Sequence, residues 1–236
     1  MKFIKMQGVG NDYIYVDCFT ETVEHPEKIA AQLSRRHFGI GSDGLILIGQ
    51  SEQADCRMRI FNADGSEGEM CGNAIRCVGK YVYEHGIVKN KDLTVETLGG
   101  IKNLNLTVED NKVLLVTVDM GEPQLTSELP EAITIDRQEY EFVGISVGNP
   151  HAVYFMDEID DLDLEKIGPS FENHSRFSNR VNSEFVQVVD QGHIRMRVWE
   201  RGSGETWACG TGATASVVAS ALSGRTFNKA EVELKG

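Results

Sequence analysis

The sequence predicts an α+β protein of two pseudo-symmetric lobes, each a curled, mostly antiparallel sheet around a helix, and three observations carry that expectation. The 236-residue chain repeats itself at the spacing between Cys71 and Cys209, 138 residues (209 − 71). Arg57-Met58-Arg59-Ile60-Phe61 returns as Arg195-Met196-Arg197-Val198-Trp199, Glu67 as Glu205, Cys71-Gly72 as Cys209-Gly210, and Val9-Gly10-Asn11 as Val147-Gly148-Asn149. Within each copy, strand-like segments precede one glycine-rich apolar helix, the pattern of an α+β lobe. With 41% hydrophobic and 25% charged residues the composition is that of an ordinary globular chain able to bury two cores. The lobes are expected at 1–118, carrying Cys71, and 119–236, carrying Cys209.

The elements follow from local pattern. A turn over Gly8 to Asp12 leads to a strand at Tyr13 to Val16. Pro26 suits the first turn of a helix running to His37, with Ile29, Ala30, Leu33 and Phe38 at near-helical spacing and Gly39 after them. The apolar run Leu45 to Ile48 reads as a buried strand and the alternating Arg57 to Phe61 as a half-buried one. A turn-rich loop, Asn62 to Glu69, delivers Cys71. Ala74, Ile75, Val78, Tyr81 and Val82 then stripe a helix that Gly86 closes. Strands resume at Leu93 to Leu98, Asn103 to Val108 and Val113 to Val118. In the second half strands are expected at Ile145 to Val147, Ala152 to Met156, Phe185 to Val189 and Ile194 to Trp199. A helix is expected over the acidic Asp157 to Lys166, and a last helix with Ala213, Val217, Val218, Ala221 and Leu222 on its apolar face. Since Val95 to Gly99 resembles Val232 to Gly236 and the first half then continues with two strands, the second lobe is expected to be short of its last strands.

Charge and cysteine usage exclude several classes of function. Against 23 Lys and Arg stand 36 Asp and Glu, a formal net charge of −13 that repels nucleic acid and anionic membranes. No apolar run reaches membrane-spanning length, and the N-terminus lacks the pattern of a signal peptide, so the expected location is cytoplasmic. The five cysteines include no CxxC and no zinc spacing, so neither a disulfide framework nor a metal is expected. Cys18, Cys56 and Cys77 read as small, partly buried apolar residues. His25, His37, His85, His174 and His193 are expected to have no chemical role.

Cys71 and Cys209 differ by context, since each precedes a helix. Exposed N–H groups and the helix dipole favour a thiolate there and also hold a carboxylate, while Gly72, Gly210 and Gly212 allow close approach to the backbone. Two thiols on opposite sides of one carbon can remove a proton from one face and return one to the other. That pairing suits a racemase or epimerase. A competing class is a dinucleotide-binding module, because Gly210-Thr211-Gly212-Ala213-Thr214-Ala215 fits G-x-G-x-x-A. Against it, too few residues follow for the remaining βαβ units.

Asn11-Asp12-Tyr13, Phe61-Asn62-Ala63-Asp64-Gly65-Ser66, Met70-Cys71-Gly72-Asn73-Ala74, Gly148-Asn149-Pro150-His151, Trp199-Glu200-Arg201-Gly202 and Ala208-Cys209-Gly210-Thr211-Gly212 together resemble the diaminopimelate epimerase family, from the first residue to the last. The resemblance implies two lobes, each a β-barrel-like sheet around a central helix. It also implies a homodimer without cofactor or metal that interconverts LL- and meso-diaminopimelate in lysine and peptidoglycan precursor biosynthesis. Carried over residue by residue, Cys71 and Cys209 are the catalytic thiols. Asn11, Asn62, Gly72, Asn73, Asn149, Asn182, Glu200, Arg201, Gly210 and Thr211 bind substrate, and His151 and Glu200 tune the thiols. One departure is Gly44, where some members have a substrate-contacting glutamine. Proline racemase and hydroxyproline epimerase resemble the same layout. Asn73, Glu200-Arg201 and the extra asparagines favour a substrate with a second amino-acid head group. Each assignment has a plainer reading: Asn11 and Asn149 as turn formers, Glu200-Arg201 as a solvated pair, His151 as a core histidine.

Overall fold

The computed structural model describes residues 1–235, which form two compact units, Met1–Gly121 and a second beginning at Glu122. The first contains β1 (Ile4–Gly8), β2 (Asn11–Asp17), α1 (Pro26–Leu33), β3 (Gly44–Gly49), β4 (Cys56–Asn62), β5 (Glu67–Gly68), α2 (Gly72–Glu84), β6 (Asp92–Thr97), β7 (Gly100–Glu109) and β8 (Lys112–Asp119). Its sheet runs β1-β2-β3-β4-β6-β7-β8, with β5 on β4; only β2/β3 and β4/β6 pair in parallel. Because α2 packs on β1 and β2 at one end of that order and on β7 and β8 at the other, the sheet curls around it. The expected stripe on α2 is therefore part of a helix buried almost all round, nine of its 13 residues being inside.

The sheet is also covered on its outer side. Tyr13, Tyr15, Ile46, Ile48, Met58 and Ile60 face α2, whereas Ile14, Val16, Leu45, Leu47 and Phe61 pack with Ala30, Ile29 and Leu33 of α1. Burial on both faces is why Leu45 to Ile48 reads as an unbroken apolar run.

The second unit contains β9 (Gln124–Leu125), β10 (Glu131–Ile135), β11 (Gln138–Ser146), β12 (Pro150–Phe155), α3 (Leu164–Glu172), β13 (Asn182–Asp190), β14 (His193–Glu200), β15 (Gly204–Thr206), α4 (Gly210–Leu222) and β16 (Glu231–Glu233). Its sheet runs β10-β11-β12-β13-β14-β15, with β9 on β11 and β16 on β14. The sequence repeat is a repeat of pairing and register. Tyr13 opposite Gly44 becomes His151 opposite Asn182, and Leu45 opposite Phe61 becomes Ser183 opposite Trp199. This mixed, mostly antiparallel α+β arrangement is not the doubly wound parallel sheet that the G-x-G-x-x-A reading requires.

Four local expectations are corrected. Asn11 is not part of the turn: the β1/β2 hairpin turns through Val9 and Gly10 alone, both at positive φ (54° and 78°), and Asn11 opens β2. Helix α1 stops at Leu33, because the chain folds back so that the N–H groups of Ile40 and Gly41 bond the Leu33 carbonyl, leaving Phe38 82% exposed. The acidic segment is not a helix before Leu164. The Arg197 guanidinium takes the carbonyls of Ile159, Asp160 and Leu162 that helical N–H groups would need. Finally, the face of α4 turned inward is Thr211, Gly212, Ala215, Ser216, Ala219 and Ser220, while Ala213, Val217, Val218 and Ala221 are half-buried and Leu222 is exposed. Small residues win the inner face because α4 lies close against its sheet. A Cβ added at Gly212 would stand 2.7 Å from Glu184 Oε1 on β13.

Candidate active site

Each unit presents a cysteine at the same structural position. Cys71 is the N-cap of α2, with extended φ −138° and ψ 116°, and Cys209 is the N-cap of α4, with φ −131° and ψ 109°. Cys71 and Cys209 are 9% and 6% exposed. Helix N-termini leave unpaired N–H groups, and here one of them serves the sulfur: Ala74 N–H donates to Cys71 Sγ at 3.4 Å and Gly212 N–H to Cys209 Sγ at 3.3 Å. Gly72-Asn73 and Gly210-Thr211 complete the two first turns, and Asn73 and Thr211 are buried.

Around Cys71, the Sγ–H reaches Asn11 Oδ1 at 3.6 Å. Behind it Asn11 Nδ2 donates to Asp43 Oδ2 at 2.7 Å, Asp12 N–H donates to the same oxygen at 3.0 Å, and Arg36 donates to Asp43 Oδ1 at 2.8 Å. Burial pushes the Asp43 carboxyl above its ordinary range, against the pull of the Asp12 N–H and Arg36. Burial also raises Asp12, but bonds from Lys5 and Arg36 outweigh it and leave that group lowered. Asn62, at the end of β4, is buried and donates from Nδ2 to Ser66 Oγ at 3.1 Å, bracing the loop before Cys71.

Around Cys209 a chain of side chains leads inward. Thr211 Oγ1 lies 3.3 Å from Cys209 Sγ, Asn149 Nδ2 donates to Thr211 Oγ1 at 3.2 Å, and His151 Nε2 meets Asn149 Oδ1 at 3.0 Å. His151 Nδ1 is 2.7 Å from Glu184 Oε1, and neither side chain has solvent exposure. Glu184 Oε2 has no hydrogen-bond partner among the described residues. His151 is thus linked to Cys209 through Asn149 and Thr211 and does not bond the thiol itself.

The loop bearing Glu200 and Arg201 is fastened from below. Asn182 Oδ1 accepts the Arg201 N–H at 3.0 Å and its Nδ2 donates to the Pro150 carbonyl at 2.9 Å. Buried Glu172, at the end of α3, accepts from Trp199 Nε1 at 2.7 Å, Arg180 at 2.9 Å and Gly202 N–H at 3.0 Å. Arg201 Nη1 rests on the Asn179 carbonyl at 3.2 Å, and Glu200 Oε1 accepts from Thr206 Oγ1.

Sequence reasoning missed Asp43, Glu172 and Glu184. Only Glu184 left a signal, a carboxylate one residue before an apolar strand run. A side chain at Gly44 would begin 2.2 Å from the Phe61 carbonyl oxygen and 2.9 Å from Tyr13 Cε1, so this chain admits no glutamine there without moving β4.

The diaminopimelate epimerase family profile matches residues 3–126 and 143–236. The diaminopimelate epimerase of Acetivibrio thermocellus is 56% identical over 247 aligned residues, spanning 100% of this chain and 88% of the relative. That of Methanococcus maripaludis is 53% identical, spanning 100% and 89%. Among solved structures, a probable proline racemase from Agrobacterium radiobacter superposes with a TM-score of 0.75 at 17% identity, covering 94% of this chain and 77% of the other. A hydroxyproline epimerase from Agrobacterium vitis gives 0.72 at 16% identity, covering 95% and 76%. At such identities these two establish the fold alone. The relatives matched over the whole chain carry the assignment further: this chain belongs to the diaminopimelate epimerase family.

Proposed function

We propose that the protein interconverts LL- and meso-diaminopimelate with Cys71 and Cys209 as its two acid/base groups, using no cofactor or metal. The observation that carries this reading is the pair of N-cap cysteines, each bonded by a first-turn N–H and standing at equivalent points of two repeats in a chain of this family. One sulfur, as thiolate, takes the α-hydrogen as a proton, and the electron pair of the broken C–H bond moves into the α-carboxylate. The other sulfur, as thiol, returns a proton to the opposite face and becomes the thiolate. The first-turn N–H groups at Gly72-Asn73 and Gly210-Thr211 stabilise the charge on that carboxylate. Asn11, Asn62 and Asn149 hold the polar groups of the reacting end. Glu200 takes an ammonium and Arg201, whose guanidinium can bind bidentately, the distal carboxylate. Asn182 serves by fixing the Arg201 backbone, and His151 acts on Cys209 through Asn149 and Thr211. The same reading has the protein act as a cytoplasmic homodimer supplying lysine and peptidoglycan precursors.

The test follows α-hydrogen exchange and epimerisation of LL-diaminopimelate in deuterated water by the wild type, Cys71→Ala and Cys209→Ala. Each substitution is expected to lower epimerisation by about 10²–10⁴-fold, the usual contribution of a positioned acid or base. Full epimerisation by either variant refutes the two-thiol scheme. Label entering proline but not diaminopimelate assigns the chain to the smaller substrate instead.

A further inference from the structure

Asn11 and Asn149 occupy the same place in the two repeats, yet a carboxylate stands behind one and an imidazole behind the other. We infer that Asp43 is a positioning residue that turns the Asn11 oxygen toward Cys71 and so holds this cysteine as a hydrogen-bond donor, a thiol. The inference rests on the reading of Cys71 as an acid/base group and adds to it the device that sets its resting form.

Three donors converge on the Asp43 carboxylate: Asn11 Nδ2, the Asp12 N–H and Arg36. A carboxylate accepts only, so the amide nitrogen of Asn11 must face Asp43, and its oxygen is left on the side of the sulfur, 3.6 Å away. A thiolate at Cys71 would meet a lone pair of that oxygen, whereas a thiol donates to it. Bonding to the neutral form disfavours the ionised one.

The second repeat lacks this device. The repeat offset brings Val181 to the place of Asp43, and Asn149 Oδ1 instead faces an imidazole nitrogen, His151 Nε2, at 3.0 Å, a group that can donate or accept where a carboxylate only accepts. Asn149 Nδ2 donates to Thr211 Oγ1, whose hydroxyl lies 3.3 Å from Cys209 Sγ and can give or take that bond, while the Gly212 N–H donates to the same sulfur. Each sulfur thus takes one first-turn N–H, but Cys71 also faces an amide oxygen that only accepts, whereas Cys209 faces a hydroxyl that can donate. His151 and Glu184 are the titratable groups behind it.

The elements packed about Cys71 carry, among other titratable groups, Lys5 on β1, Asp12, Tyr13 and Tyr15 on β2, Arg76 and Cys77 on α2, Lys102 on β7 and Asp119 on β8. Arg76 pulls toward the thiolate. It is tied to the Gly72 and Val116 carbonyls, so its pull is the same in a protein altered only at Asp43.

Asp43→Asn keeps the shape but offers either an oxygen or an NH₂, so Asn11 is no longer held in one sense. The measurement is the pH dependence of iodoacetamide alkylation of the full chain, with peptide mapping by mass spectrometry so that Cys71 and Cys209 are read separately in one sample. Asp43→Asn is expected to lower the apparent pKa of Cys71 by about one unit and leave that of Cys209 in place, and Asp43→Glu to recover part of the difference. An unchanged or raised Cys71 value, or an equal shift of both cysteines, overturns the inference. Because Asp43→Asn also removes a negative charge that by itself disfavours the thiolate, Asn11→Ala, which keeps that charge and removes only the acceptor, is measured in parallel and is expected to lower the Cys71 value too; an unchanged or raised value there overturns the inference, whether or not Asp43→Asn folds by circular dichroism. Alkylation needs no turnover, so the outcome stands apart from the activity of Cys71→Ala and Cys209→Ala. A Cys71 shift alongside full epimerisation by those variants would refute the functional reading and leave the role of Asp43 intact.

Discussion

At the scale of single residues, the second unit turns on contacts that close approach makes possible. Gly168 of α3 lies flat on the Trp199 ring: a Cβ there would stand 2.2 Å from Trp199 Cδ2, and Trp199 in turn donates its indole N–H to Glu172, which also holds the Gly202 N–H. Gly168→Ala is therefore expected to destabilise the protein by about 1–3 kcal/mol, the usual cost of overpacking, and to raise KM for diaminopimelate more than it lowers kcat by displacing the Arg201 loop. Denaturant unfolding and steady-state kinetics check both parts; an alanine variant of wild-type stability would show that the ring is free to move. The two cysteines, with Asn11 and Asn149, were legible in the sequence because they recur at one offset, and the remaining site asparagines through the family resemblance. Asp43, Glu172 and Glu184 were not, since each acts on a backbone or side chain distant in sequence and none has a counterpart in the other half.

At the scale of elements, the hairpin of β1 and β2 carries Asn11 and is tied down by charge. Asp12 meets Lys5 at 2.7 Å and Arg36 at 3.0 Å, and its pKa is held below the ordinary value despite burial. A lowered folded-state pKa means that the tie contributes stability above the unfolded value near 3.9, and that the contribution is lost as pH falls through the lower folded-state value. Lys5→Met is expected to lose about 0.5–1 kcal/mol at pH 7 and nothing at a pH below both values, as measured by chemical denaturation at the two pH values. A loss of the same size in acid would assign the effect to packing of the lysine stem. Strand positions were mostly legible, because alternation and apolar runs report burial directly. Helix ends and the inner face of α4 were not. Tertiary bonds to Arg197 held the predicted helix of the acidic segment back to a start at Leu164, and close packing on the sheet favoured glycine, alanine and serine over the valines that hydrophobicity alone would turn inward.

At the scale of the whole molecule, a net charge of −13 makes the folded state repel itself. Moderate salt is expected to raise Tm, most steeply below about 0.1 M, where the Debye length falls to about 10 Å. A Tm that falls with salt would instead mean that ion pairs such as Arg195–Asp160 and Arg176–Glu131 outweigh the repulsion. By itself the sequence determined the α+β class, the internal repeat, the two cysteines at helix starts and the family resemblance. These depend on periodicity and on residue types at fixed spacing, which are local or exactly repeated quantities. Only the tertiary structure decided which side chain stands behind each asparagine, Asp43 behind Asn11 and His151 behind Asn149, and how the Arg201 loop is fastened. Those are set by hydrogen-bond donors and acceptors that meet only when strands far apart in the chain are brought into register.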